Sequence, residues 1–264
     1  MRPIHVSLSA MGMGPVARSL AQLWEAGVRG VELAIGPRYE PCLGPLVLDY
    51  QHRGVEFRAH HAFPFAGQPE GFDLARPLHQ EKMLARLDWL HDHNIKIYSI
   101  HGGCHDEGVE RGQAYALFLE QLAWLDARCQ ERGITLGVET MFAMPSSSRR
   151  ANLLVGLDEV DQFLRDNERV PLVVDLAHLG LWPQDSPARR LEVFHRARGR
   201  ILEVHVSDND GQRDLHTAIS ERAWWWPFGD VLPEAVPVVV ETRLDGPGRP
   251  SLNTQIALLS RWLS

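Results

Sequence analysis

Eight short runs of β-forming residues alternate with helical patterns along the chain, and no other feature limits the fold so strongly. The runs begin at Ile4, Gly30, Val55, Ile95, Ile134, Val170, Ile201 and Val236. Several, such as Pro-Leu-Val-Val-Asp at 171 and Pro-Val-Val-Val-Glu at 237, are continuously apolar, as strands buried on both faces must be. Between them lie amphipathic stretches with recognisable ends. Pro15 opens one that stops at Gly27, the longest runs from Gly112 to Arg132 before Gly133, and Ser186-Pro187 reads as a cap followed by a first helical residue. The segment after the seventh strand holds Trp224-Trp225-Trp226-Pro227 in place of a regular helix. Eight βα units in 264 residues predict one α/β domain over 1–264, a (β/α)8 TIM barrel with an irregular seventh βα segment. A doubly wound open sheet is the competing fold, but no Gly-x-Gly-x-x-Gly follows the first strand.

Where the strands end, ionisable residues recur. His60 and His61 follow the third strand, His101 the fourth, Glu139 the fifth, Asp175 and His178 the sixth, and Glu241 the eighth. The seventh strand runs into the densest stretch, Ile201 to His216, with His205 near the strand end and Asp214 and His216 on the loop. In a barrel these ends meet at one mouth, where active sites sit. Carboxylates gathered there are prohibitive to bury without compensating charge, so the cluster predicts divalent cations. Mixed nitrogen and oxygen donors suit Zn²⁺, Mn²⁺ or Fe²⁺ better than Mg²⁺ or Ca²⁺. Taken singly, a strand-end His such as His101 is more often structural than a ligand; the recurrence at successive strands carries the argument. Strand alternation turns one of His60 and His61 toward the mouth and the other away.

The net charge of -7 disfavours a nucleic-acid partner, which needs a basic face. Cys42, Cys104 and Cys129 form no Cys-x-x-Cys pair and read as reduced thiols. No signal peptide and no membrane-length apolar run is visible, so a cytoplasmic enzyme is expected.

The motifs HAFPF at 61, SIHGG at 99, GVET at 137, VVDLAHLG at 173, HVSDNDGQRDLH at 205 and VVET at 239 resemble those of the xylose-isomerase-like barrel superfamily. That group holds sugar and sugar-phosphate isomerases and epimerases, and AP endonucleases of the endonuclease IV type. The resemblance implies a core metal site of Glu139, Asp175, His205 and Glu241, with the two glutamates in proton transfer. The endonuclease branch adds ligands that here match His61, His101, His178, Asp214 and His216, so the resemblance implies one to three zinc or manganese ions. His61 is aligned rather than His60 because a small residue and an aromatic follow it. The Gly-Glu-Gly usual after the strand-seven loop is replaced by Thr217-Ala218-Ile219-Ser220-Glu221, and no long DNA-contacting loops are evident.

Three functions follow. The first is a metal-dependent isomerase or epimerase of a small sugar or sugar phosphate, with Glu139 and Glu241 as acid and base and His178 orienting a hydroxyl. Trp182 and the Trp224–Trp226 run are then candidates to wall the site, and Arg213 and Arg243 to bind an anionic group, against their plainer readings as packing indoles and solvated arginines. The alternative is a multinuclear zinc phosphodiesterase or AP endonuclease. The third is a barrel that binds metal without catalysis. An oligomer of identical chains is compatible with any of them.

Overall fold

A computed structural model describes residues 2–65, 71–183, 186–244 and 248–264. The chain begins with β1 (Ile4–Ser7), α1 (Val16–Glu25), β2 (Gly30–Leu33), α2 (Leu43–His52), β3 (Glu56–His60) and α3 (Gln80–Asp92). It continues through β4 (Ile97–His101), β5 (Cys104–Asp106), α4 (Arg111–Glu131), β6 (Thr135–Glu139), β7 (Arg150–Asn152) and α5 (Leu157–Asp166). It ends with β8 (Leu172–Asp175), α6 (Leu176–Gly180), α7 (Pro187–Arg196), β9 (Ile201–Val206), β10 (Val238–Val240) and α8 (Leu252–Trp262).

Eight parallel strands close in the order β1-β10-β9-β8-β6-β4-β3-β2, which is a (β/α)8 TIM barrel. The apolar strands explain the closure. In β8 all four residues are buried, because the lumen takes one face and the helical ring takes the other. Crowding within the wall also selects small residues. A Cβ at Gly137 in β6 would sit 2.6 Å from Leu202 Cδ2, so a larger residue there would force the Leu202 side chain to move.

The seventh segment is irregular, as the tryptophans suggest: no α-helix stands between β9 and β10, only a short 3₁₀ turn at Trp226–Val231. The indoles pin it to the barrel. Trp224 Nε1 donates to the Leu176 carbonyl (2.9 Å), Trp225 Nε1 to that of Ser207 (3.2 Å), and Trp262 Nε1 from α8 to that of Trp226 (2.8 Å). Ser186 caps α7 by accepting from the Arg189 N–H, as its sequence predicts.

The sequence does not announce a small second sheet: the segment after β4 supplies β5 and the polar loop after β6 supplies β7, and the two pair antiparallel. Among the described residues no helix is long and apolar enough to cross a membrane.

Candidate metal centre

Register brings the strand-end donors together. His101 is level with Glu139 across β4 and β6, and Asp175 with His205 across β8 and β9. Glu241 leaves β10 one residue past its end. Donor atoms of Glu139, Asp175, His205 and Glu241 lie within 4.8 Å of one another, all four residues buried. His205 Nδ1 is 3.4 Å from Glu139 Oε1 and 3.5 Å from Glu241 Oε2. Asp175 serves twice: its Oδ1 accepts the His178 N–H at 2.8 Å and so caps α6, while its buried Oδ2 has no hydrogen-bond partner.

A second group forms on the other oxygen of Glu139. His60 Nε2 and His101 Nε2 are each 3.5 Å from Glu139 Oε2. His60, His101 and Glu139 also gather within 4.8 Å, as do Glu32, His60 and His205. Of the adjacent pair, His60 places a ring nitrogen among these donors, while His61 lines the cavity beside them. Residue 61 turns out of β3 with φ +42°, and its ring stacks on His101 at 4.0 Å between centroids, with Phe72 at 4.5 Å.

The remaining donors lie on the rim. His178 Nδ1 donates to the Thr140 carbonyl at 2.8 Å, which leaves Nε2 facing Asp214 Oδ2 at 3.5 Å. His216 Nε2 is 3.2 Å from the same oxygen. The loop that carries them is shaped by its own polar residues. Asp210 accepts the N–H groups of Gln212 and Arg213, and Asp208 and Thr217 pair backbone to backbone at its base.

Burial and neighbouring charge split the titrations. Burial pushes Glu139 up to about 7 against the pull of His205 and His178. Burial also raises Asp175. It works the same way on Glu241, yet His205 and His216 outweigh it and hold that carboxyl well below the usual range. His60 is driven well below the usual imidazole value by burial, then by His101 and His205. Burial and His178 bring His101 to about 4. His216 moves the other way: burial opposes its charge, but Asp214 and Glu241 lift it to about 9.

The donor set fits a divalent cation. Glu139 Oε2, Asp175 Oδ2, His205 Nδ1 and Asp214 Oδ1 are buried without any hydrogen-bond partner. Such atoms are rare in folded proteins and costly unless something satisfies them. The first three belong to the gathered carboxylates and imidazoles, so a cation is the group that would satisfy them together.

The cavity above the donors holds about 200 Å³. Ser9, Ala34, Ile35, Ala62, Met141 and Phe142 wall it opposite the ligand side chains. Trp182 is not in its lining. That indole is buried and donates to the Met141 carbonyl at 2.8 Å, so it backs the wall instead of forming it. Arg213 and Arg243 are exposed and also off the lining, because the loop turns their side chains to solvent. The arginine on the adjoining space of about 320 Å³ is Arg150, which pairs with Asp73 at 3.2 Å.

Sequence reasoning also missed the charges beneath the donors. Glu32 and Glu203 are fully buried and Arg58 nearly so. Alternation along β9 was the available signal, since Glu203 stands two residues before His205 and shares its face.

The architecture is a closed parallel barrel whose nitrogen and oxygen donors converge at one mouth, the end where the sites of such barrels sit. The chain belongs to the xylose isomerase-like TIM barrel family, whose model matches residues 20–247. Solved structures agree on the fold. A D-tagatose 3-epimerase-like protein superposes with a TM-score of 0.76 at 16% identity, covering 100% of this chain and 97% of that one. A D-psicose 3-epimerase from Clostridium cellulolyticum H10 gives 0.69 at 11% identity, covering 97% and 89%. A family 2 AP endonuclease from Brucella melitensis gives 0.68 at 16% identity, covering 99% of both chains. No protein of curated function matches the chain in sequence.

Proposed function

We propose that the protein is a divalent-metal-dependent isomerase or epimerase of a small sugar or sugar phosphate. The observation that carries this reading is the four-residue donor group Glu139, Asp175, His205 and Glu241 beneath a cavity of about 200 Å³. That space suits a small molecule, and the net charge of -7 does not suit a nucleic-acid backbone.

These four residues would hold the cation, zinc or manganese by the chemistry of the donors. When bound, it polarises a substrate carbonyl and so eases removal of the proton on the neighbouring carbon. Glu139 and Glu241 supply the acid and base that take that proton and return it. His178, held by its Thr140 bond, presents Nε2 to a substrate hydroxyl. The apolar wall of Ile35, Met141 and Phe142 keeps water from the reacting carbon.

A second reading, a multinuclear phosphodiesterase, is favoured by Glu139 alone. One of its oxygens faces His205 and the other faces His60 and His101, so Glu139 would be able to serve two neighbouring cations at once.

The test is a panel of ketoses, aldoses and their phosphates, beside a phosphodiester and AP-site DNA. Each is assayed with the metal-loaded enzyme, after chelation, and with Glu139→Gln. Metal-dependent epimer or isomer formation that is lost in the variant supports the first reading. Diester cleavage without sugar turnover replaces it with the second.

A further inference from the structure

We propose that Glu203, gripped by Arg58, is a positioning residue that decides which ring nitrogen of His205 meets a bound cation. This rests on the metal reading above.

His205 has two faces. Nδ1 looks out to the mouth, toward Glu139 and Glu241, with no hydrogen-bond partner. Nε2 looks inward and down the barrel, where Glu203 Oε1 hydrogen-bonds it at 3.4 Å. Glu32 Oε2 also lies 3.4 Å from Nε2, but Glu203 is the carboxylate that meets it with hydrogen-bond geometry. An ionised carboxylate only accepts, so the proton of a neutral His205 sits on Nε2. The Nδ1 lone pair is then the donor left for a metal. Carboxylate partners of this kind orient a ligating imidazole and raise its basicity.

Arg58 makes the arrangement affordable. From β3, across the lumen, its NH1 donates to Glu203 Oε2, and its NH2 reaches Glu56 Oε1 at 3.1 Å at the N-terminal end of β3. Glu203 is fully buried and Arg58 is 4% exposed. A barrel layer is ordinarily filled by branched apolar side chains, which are no less stabilising than a buried ion pair. The pair stands directly under a ligand candidate and touches no substrate cavity, so its effect passes through His205.

The experiment measures zinc affinity by competition with a chromophoric chelator, together with the ring ¹⁵N resonances of His205 in the zinc-loaded protein. Glu203→Gln keeps an acceptor without the charge. Glu203→Leu with Arg58→Met removes the pair and leaves no unmatched charge. Asp175→Asn serves as the ligand control. The expected result is a zinc Kd raised by about 10–100-fold in the double variant, with a smaller rise in Glu203→Gln. The wild-type ¹⁵N pattern should show the proton on Nε2. A merely structural pair would lower the melting temperature and leave Kd and the tautomer unchanged. Wild-type affinity in both Glu203 variants, with affinity lost in Asp175→Asn, overturns this proposal and leaves the metal reading standing. Wild-type affinity in Asp175→Asn as well overturns both.

Discussion

His60 and His101 meet Nε2 to Nε2 at 3.0 Å, one from the end of β3 and one from the end of β4. Both stay neutral near pH 7, since burial and neighbouring imidazoles depress them. Two neutral nitrogens this close share one proton or one cation, and Glu139 Oε2 lies 3.5 Å from each.

That contact separates the roles of two adjacent histidines. His60→Ala should lower the zinc content of the purified protein, as should His101→Ala. His61→Ala should keep the zinc and lose only the stack on His101 and Phe72. Elemental analysis of the three variants decides it. Zinc lost from His61→Ala and kept by His60→Ala reverses the assignment.

Glu139→Gln and Glu241→Gln each remove a carboxylate that the proposed function assigns to proton transfer, and the barrel should keep its shape. The expected loss of turnover is about 10²–10⁴-fold. Circular dichroism should be unchanged and metal retention weakened. Wild-type turnover in either variant excludes that glutamate from the chemistry.

The metal-free protein should grow less stable as pH rises from about 7 to about 9. His216 is held up to about 9, and His178 and His205 also lie well above the usual imidazole value. A raised folded pKa means the folded state binds the proton more tightly, so the stability it adds is complete below the unfolded value and is lost as pH climbs through the folded one. The depressed His60, His61 and His101 are neutral in the folded state throughout and oppose this slope only near pH 7, where the unfolded imidazoles still hold some protons. For a chain of this size each kcal/mol lost lowers Tm by about 2–4 °C. Loading with zinc should flatten the profile, because the cation replaces those protons. Calorimetry of the chelated and loaded protein across this range reads both slopes.

Trp182→Phe tests packing against substrate contact. The change leaves the buried Met141 carbonyl without its donor, which costs about 1–3 kcal/mol. KM should hold, because the indole stays off the cavity. Arg213→Ala and Arg243→Ala should leave both stability and turnover near wild type. A raised KM in any of these variants would return that side chain to the site.

The barrel is legible because its strands are apolar on both faces and Ser186 and Ser251 mark the starts of α7 and α8, so pattern alone orders the elements. The donors are legible for a related reason: Glu139, Asp175 and Glu241 fall where an apolar run stops, and His205 one residue before the end of β9. Depth is what pattern does not reveal. Alternation says that Glu203 shares a face with His205, but not that Arg58 from β3 reaches across to it. The same limit hides Glu32, which reads as an ordinary polar residue in Gly-Val-Glu-Leu. Choosing between His60 and His61 needed the left-handed turn at 61, which neither residue type announces. The β5–β7 pair escaped because its strands are three residues each, too short to show a period.

The most direct test of the central claim is turnover in D₂O, followed by mass spectrometry of the product of whichever sugar or sugar phosphate the enzyme accepts. Proton transfer through Glu139 and Glu241 predicts deuterium at the carbon beside the carbonyl, lost on chelation and restored by metal. Turnover with no deuterium incorporated, or none on any sugar of the panel, contradicts it.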